Sequence, residues 1–236
     1  MPPVSRSVYD PPSAPKRAMT TRSSVMQSHA TGAADRTAAP VWNHGYKIGP
    51  KRALKPKEVW AIRFELGGRA NPRDRALFDL AIDSKLRGCD LVKLRIGDIV
   101  SGGQIRHRAT VVQQKTGRPV QFELSETTRE SVHKWLTLRG GSIEEYVFTS
   151  RLHGSAHMST RQYGRLVHEW VAAVGLNSED YGTHSLRRTK ASILYKQTGN
   201  LRAVQILLGH TRIESTVRYL GVDVEDALAL SEAVDI

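Results

Sequence analysis

Apolar positions repeat at a helical period along most of this chain and alternate over one short central stretch. "KPKEVWAIRFEL" spaces Val59, Ile62, Phe64 and Leu66 at near-helical intervals. "NPRDRALFDLAIDSKL" opens with Asn71 as an N-cap and Pro72 at the first helical position, where its missing N–H is no loss. Leu77, Leu80 and Ala81 then share one apolar face. The alternating stretch follows: "QIRHRATVVQQ" and "RPVQFEL" are β-prone and joined by the turn signal "KTG". Helical patterns resume in "TTRESVHKWLTL", "STRQYGRLVHEWVAAVG" with Gly175 at its C′ position, "SLRRTKASILYKQTG", "LRAVQILLG" and "DVEDALALSEAV". No internal repeat is visible. The pattern predicts an α+β fold, mostly helical, with one small antiparallel β-sheet in its first half.

The pattern begins only near Lys51. Residues 1–50 are rich in Pro, Ser, Thr and Ala, with basic residues scattered through them, and show no sustained apolar period. They read as a disordered basic tail, in which Met19 and Met26 could be alternative starts, ahead of one domain over residues 51–236. Composition then narrows the partner. Lys and Arg number 35 against 23 Asp and Glu, a formal charge of +12, which favours a polyanion. Nucleic acid comes first and an anionic membrane second. No apolar run reaches the roughly 20 residues that span a bilayer, and no apolar run near the N-terminus resembles a signal peptide. The single cysteine, Cys89, excludes an internal disulfide and a Cys-cluster metal site. A protein of a reducing cytoplasm is expected.

The polar residues of the last third are ambiguous one by one. "YGTHSLRRTKASILY" puts His184 and Arg187 three residues apart, on one face if a helix starts near Thr183. A helix N-terminus with an imidazole and a forked guanidinium makes a phosphate site. Arg187 and Arg188 could equally be solvated surface charges. His210 follows Gly209, a helix-ending glycine, and could be a capping group. Tyr219 could be an ordinary core or surface tyrosine, since a phenol is a poor nucleophile without help. Lys115 could be a solvated hairpin lysine.

Taken in order, His-x-x-Arg, Gly-His and a tyrosine nine residues on, these segments resemble the C-terminal signature of the tyrosine recombinases, the lambda-type phage integrases and their relatives. The resemblance covers about residues 50–236 and is strongest in "THSLRRT", "LLGH" and "STVRYLG". An earlier family segment, "GLRxxELxxLxxxDI", is matched by "KLRGCDLVKLRIGDI". Lys85 and Leu86 stand for the commoner Thr-Gly and Asp90 for the usual Glu. The resemblance implies Arg87 and Arg187 as a clamp on the scissile phosphate and His210 as a further donor. It implies Tyr219 as the nucleophile that forms a 3′-phosphotyrosyl link, with His184 handling its proton and Lys115 protonating the 5′-oxygen. Asp90 would orient Arg87, and Arg118, Arg188 and Lys190 would contact DNA. Arginines carry the charge that metals carry in many nucleases, so no metal and no cofactor are implied.

The implied partner is double-stranded DNA, bound by a homotetramer, with an accessory DNA-bending protein as a further possibility and no membrane. The setting would be the nucleoid of a prokaryotic cytoplasm. Residues 1–50 are too short for the helical clamp domain of most relatives, so the chain is expected to resemble the single-domain members. Arg6, Lys16, Arg17, Arg22 and Arg36 would add nonspecific phosphate contacts. The last helix, with Val224, Ala227, Leu228 and Val234, would either pack on its own domain or dock on a neighbouring protomer. Two other functions stay open: a type IB topoisomerase-like enzyme, which would share the chemistry but only nick and reseal one duplex, and a catalytically silent DNA-binding regulator that would retain the fold.

Overall fold

A computed structural model describes residues 50–150, 156–221, 228, 231 and 232. The tail expected over residues 1–50 and most of the last helix lie outside the described residues. Helix α1 (Pro56–Gly68) and helix α2 (Pro72–Ser84) start at the two prolines, with Asn71 in the N-cap position of α2. Val59, Ile62 and Leu66 are buried, a strict i, i+3, i+7 stripe. Phe64, expected on that stripe, is 86 % exposed. At about 100° per residue it falls beside Trp60 on the opposite face. Helix α2 is buried on every side, because α1, α5 (Glu126–Arg139) and α7 (Thr183–Thr198) all pack on it. Phe78 meets Trp170 edge to face at 5.8 Å in that core.

Two short helical turns, α3 (Gly88–Leu91) and α4 (Ile96–Ile99), lead into the β region. There the expected single sheet is two. Strands β1 (Val100–Ser101) and β2 (Gln104–Ile105) form a small hairpin, and β3 (Arg108–Val112) pairs antiparallel with β4 (Pro119–Glu123). The chain between Ile105 and Arg108 breaks the segment that alternation reads as one strand. Ala109 opposes Phe122 and Val111 opposes Val120, so Ala109, Val120 and Phe122 face the core. Helix α6 (Thr160–Ala173) is capped by Ser159, whose hydroxyl accepts from Gln162 N–H. Gly175, at φ 77°, follows its end as the sequence predicts.

Helices α8 (Leu201–Leu208) and α9 (Ile213–Leu220) complete the described fold. Ala191, Val204 and Leu208, with Leu194, Tyr195, Tyr219 and Leu220, form a small cluster apart from the main core. Full burial of side chains such as Val204 and Leu208 contributes about 1.5–3 kcal/mol each. Among the described residues no helix is long and apolar enough to cross a membrane.

Candidate active site

The site forms where the main core, carrying Arg87, Arg187 and the β3–β4 hairpin, meets the smaller cluster that carries His210 and Tyr219. Helix α7 begins at Thr183, and Ser185 Oγ accepts from the Gly182 N–H at 3.1 Å to close its first turn. That fixes His184, partly exposed, in the first turn and Arg187, 2 % exposed, three residues after it. Gly209 ends α8 at φ 66°, and a Cβ there would lie 2.5 Å from Val120 Cγ2 and 3.1 Å from Gln113 Nε2. Both the backbone conformation and this close approach require glycine, and they bring the end of α8 against the hairpin.

Arg187 Nη2 donates to the Leu208 carbonyl at 2.8 Å, while its Nη1 is buried with no acceptor among the described residues. Its guanidinium carbon lies 5.9 Å from the Tyr219 ring centre, and that of Arg188 lies 4.7 Å away. Arg188 is tethered by a 2.6 Å bond to the Lys51 carbonyl. The His210 ring meets the Tyr219 ring edge to face at 5.4 Å, and His210 Nδ1 lies 3.1 Å from Thr216 Oγ1. Tyr219 Oη donates to the main-chain carbonyl of His184 at 3.3 Å. The imidazole of His184 is thus not the resting partner of the phenol. Arg87 Nη1 donates to Gln113 Oε1 at 2.5 Å. No carboxylate among the described residues lies within ion-pair distance of Arg87, Lys115, Arg187 or Arg188.

Electrostatics follow from this crowding of cations. Burial, then the charges of Arg187, Arg188, Arg87 and Lys115, hold His184 below the usual imidazole range. Burial, then Arg187 and Arg87, hold His210 down at about 4. Both imidazoles are neutral at pH 7, able to accept a proton or donate from one nitrogen. Burial pushes the Tyr219 phenol up, against the pull of Arg187 and Arg188. Burial also lowers Arg187, partly offset by Tyr219.

Arg87, His184, Arg187, His210 and Tyr219 therefore come together. Lys115 sits exposed in the β3–β4 turn, close enough for its charge to act on His184. Three placements differ from expectation. Asp90 is buried, but its Oδ1 accepts from the Gln114 N–H at 2.9 Å and it makes no hydrogen bond to Arg87; it holds the hairpin turn. Lys190, expected on DNA, is held by Asp83 at 2.6 Å and Glu123 at 2.7 Å. Lys85 has φ 53°, so the glycine of the family pattern belongs at Lys85, not Leu86. Lys85 is buried and bonded to Glu123 at 2.9 Å, which compensates that unusual residue. Arg118 is exposed on the hairpin. Sequence reasoning passed over Gln113 and the packing of Arg188 on Tyr219; a glutamine ending a strand two residues before a candidate lysine was the only signal. Among the described residues no group of three or more His, Cys, Asp or Glu could hold a metal ion.

Comparison with known proteins identifies relatives and a family. The model of the Phage integrase family matches residues 54–226. Probable integrase/recombinase YoeC of Bacillus subtilis is 29 % identical over 153 residues, covering 65 % of this chain and 80 % of that protein. Tyrosine recombinase XerC of Vibrio cholerae is 34 % identical over 155 residues, 64 % of this chain and 47 % of the relative. The chain thus spans about half the length of such XerC relatives. Among solved structures, XerA recombinase superposes with a TM-score of 0.64 at 18 % identity, over 79 % of this chain and 66 % of that one. XerH bound to its difH substrate gives 0.61 at 21 %, over 79 % and 54 %. At those identities the likeness is one of fold.

Proposed function

The chain belongs to the phage integrase family, and on that premise we propose that it is a site-specific recombinase that cuts and rejoins double-stranded DNA. The observation that carries the reading is Arg187. It is a buried cation whose Nη1 has no acceptor among the described residues, 5.9 Å from the Tyr219 ring centre; no carboxylate among them lies within ion-pair distance of it, and Asp90 acts on it only from farther off. A buried charge without a partner is costly. Such a site is stable in use only when an anion fills it, and a DNA phosphate is the anion a strongly basic protein meets.

Tyr219 Oη attacks the scissile phosphorus, the P–O5′ bond breaks, and a 3′-phosphotyrosyl link forms. Arg87 and Arg187 stabilise the extra charge on the non-bridging oxygens. The phenol proton goes to the neutral His184 imidazole once the Tyr219 hydroxyl leaves the His184 carbonyl. Thr216 donating to His210 Nδ1 would keep the His210 proton on Nε2, the nitrogen that donates to the phosphate. Lys115 gives a proton to the departing 5′-oxygen. The 5′-hydroxyl of a second strand then reverses these steps and reseals the backbone without an external energy source. Asp90, Arg118 and Arg188 support the site, Asp90 through the hairpin turn and Arg188 through Tyr219. XerH and the Tn1549 transposon integrase were solved as DNA complexes, which supports duplex DNA as the partner here; four copies assembled on it, in a prokaryotic cytoplasm at the nucleoid, is the arrangement proposed.

The test is capture of a covalent adduct. A library of nicked duplexes with a randomised centre, incubated with the full chain in EDTA, should yield a protein–DNA band that survives denaturing electrophoresis. Sequencing the captured DNA gives the site, and two such sites on one plasmid should recombine. Relaxation of supercoils without recombinant product would favour the topoisomerase reading. Binding with no adduct would favour the silent regulator.

A further inference from the structure

Gln113 follows β3 and is 0 % exposed, yet each polar atom of its side chain is engaged at the site. Its Oε1 accepts from Arg87 Nη1 at 2.5 Å and from Thr116 Oγ1 at 3.1 Å. Its Nε2 donates to the Leu208 carbonyl at 3.3 Å, the same carbonyl that accepts from Arg187 Nη2 at 2.8 Å. One side chain therefore links both arginines, one directly and one through a shared acceptor. Its main chain belongs to the turn that presents Lys115: Gln113 N–H donates to Arg118, and its carbonyl accepts from Gly117 N–H at 2.8 Å. Nε2 also lies where Gly209 allows closest approach, so the same residue meets the segment that carries His210.

The chemistry asks for an amide. The atom facing Arg87 must accept, the atom facing Leu208 must donate, and neither can carry charge without altering the site. Among side chains of this length, glutamine alone meets all three conditions. A glutamate would pair with Arg87, cancel charge needed on the phosphate, and set a carboxylate oxygen against the Leu208 carbonyl. A leucine would leave the Arg87 and Leu208 groups without this partner. The bond uses one of the five N–H groups of Arg87 and leaves the others for a ligand.

We infer that Gln113 is a positioning residue for strand cleavage, which sets Arg87 and Arg187 in register with each other and with the Lys115 turn while leaving their charge uncompensated. This rests on the recombinase reading. The test uses the full chain and the duplex captured by the wild-type protein. Gln113→Leu should bind that duplex with near wild-type affinity and melt cooperatively, while forming the adduct about 100-fold more slowly, the scale of loss from a misplaced group. Gln113→Glu, whose carboxylate cancels charge on Arg87, should lose at least as much rate. A purely structural role would lower binding and rate together, or only the melting temperature. Combining Gln113→Leu with Arg87→Lys should cost less than the sum of the two single losses, because part of the Gln113 effect passes through the Arg87 guanidinium. Either Gln113 variant cleaving at the wild-type rate, or fully additive losses in the double variant, would overturn the inference. Should the leucine variant unfold, the isosteric glutamate variant decides by its rate. Failure of the wild-type chain to form any adduct sinks the recombinase reading and this inference with it; a wild-type adduct with unimpaired Gln113 variants sinks the inference alone.

Discussion

Arg187 and Lys190 stand one turn apart on α7, and Lys85 and Arg87 stand two residues apart beyond α2, yet each pair is split between opposite fates. Lys85 and Lys190 share Glu123, and Lys190 also bonds Asp83. Asp83 in turn accepts from Ser125 N–H at 2.8 Å and Ser125 Oγ at 2.6 Å, at the start of α5. Two lysines meet two carboxylates, and the charges cancel inside the fold. Burial would raise Asp83 and Glu123, but the lysines hold both below the usual carboxylate range. A few ångströms along the chain, Arg87 and Arg187 meet an amide, a carbonyl and a phenol, and no carboxylate among the described residues lies within ion-pair distance of either. The paired cations build the frame; on the recombinase reading, the unpaired ones are those that meet the phosphate. Burial alone does not separate a structural charge from a functional one; the presence of a counter-charge does.

The largest expected effect removes the nucleophile from the unpaired side. Tyr219→Phe deletes only the Oη and its 3.3 Å bond to His184, so it should abolish the adduct while leaving DNA binding and melting near wild type. An adduct surviving in that variant would remove Tyr219 from its role. Next come Arg87→Lys and Arg187→Lys. Each keeps a charge and loses the fork, so each should slow adduct formation by about 10²–10³, or about 2.7–4 kcal/mol of transition-state stabilisation. Single-turnover rates on the captured duplex measure this, and a wild-type rate in Arg187→Lys would show that charge without geometry suffices.

The paired side should respond the other way. Asp83→Asn leaves Lys190 with Glu123 alone and weakens the link to Ser125, so it should lower stability by about 1.5–3 kcal/mol, the scale of a hydrogen bond to a charged group. Denaturant titration reads this. A loss as small as that of a surface pair, below about 1 kcal/mol, would mean the network is ornamental to folding. Adduct formation by the protein that remains folded should be little changed, which separates the two regions by experiment.

The division was only half legible in the sequence. Pro72, Gly175 and Gly209 announce helix ends because each rests on local backbone rules, and the structure places all three as those rules require. The helical fold class and the convergence of His184, Arg187, His210 and Tyr219 follow from motif order. What stayed hidden depends on partners distant in the chain. Lys190 looks like any helix lysine until Asp83, 107 residues earlier, is found against it. Gln113 looks like strand-end polarity until Leu208, 95 residues later, is seen to take its amide. Phe64 was misplaced for a simpler reason: a hydrophobic residue two positions from Ile62 cannot share its helical face.

The smallest effect, and the sharpest test of the comparison, is on stability and not on rate. If Arg187 is an uncompensated cation held for a ligand, removing its charge should not weaken the free protein. Arg187→Met keeps much of the side-chain volume and removes a buried N–H group without a partner. The Leu208 carbonyl loses one donor but keeps Gln113 Nε2 at 3.3 Å. Stability should be unchanged or higher by about 1 kcal/mol, as expected when a buried charge gives way to an apolar group. The pH dependence fixes the sign. His210 is held down at about 4, firstly by burial and then by Arg187 and Arg87. Between its ordinary value near 6.5 and about 4, the unfolded chain binds a proton that the folded chain refuses, so wild-type stability falls as pH falls through that window. His184, lowered by burial and then by Arg187, adds to the same fall. Without the Arg187 charge both imidazoles should titrate higher, though still below the usual range because burial remains, and the acid loss of stability should be shallower. Melting curves of the two proteins across that window compare the slopes directly. A variant less stable than wild type at neutral pH, with an equal or steeper loss in acid, would place Arg187 among the structural charges with Lys190 and erase the distinction between the two regions.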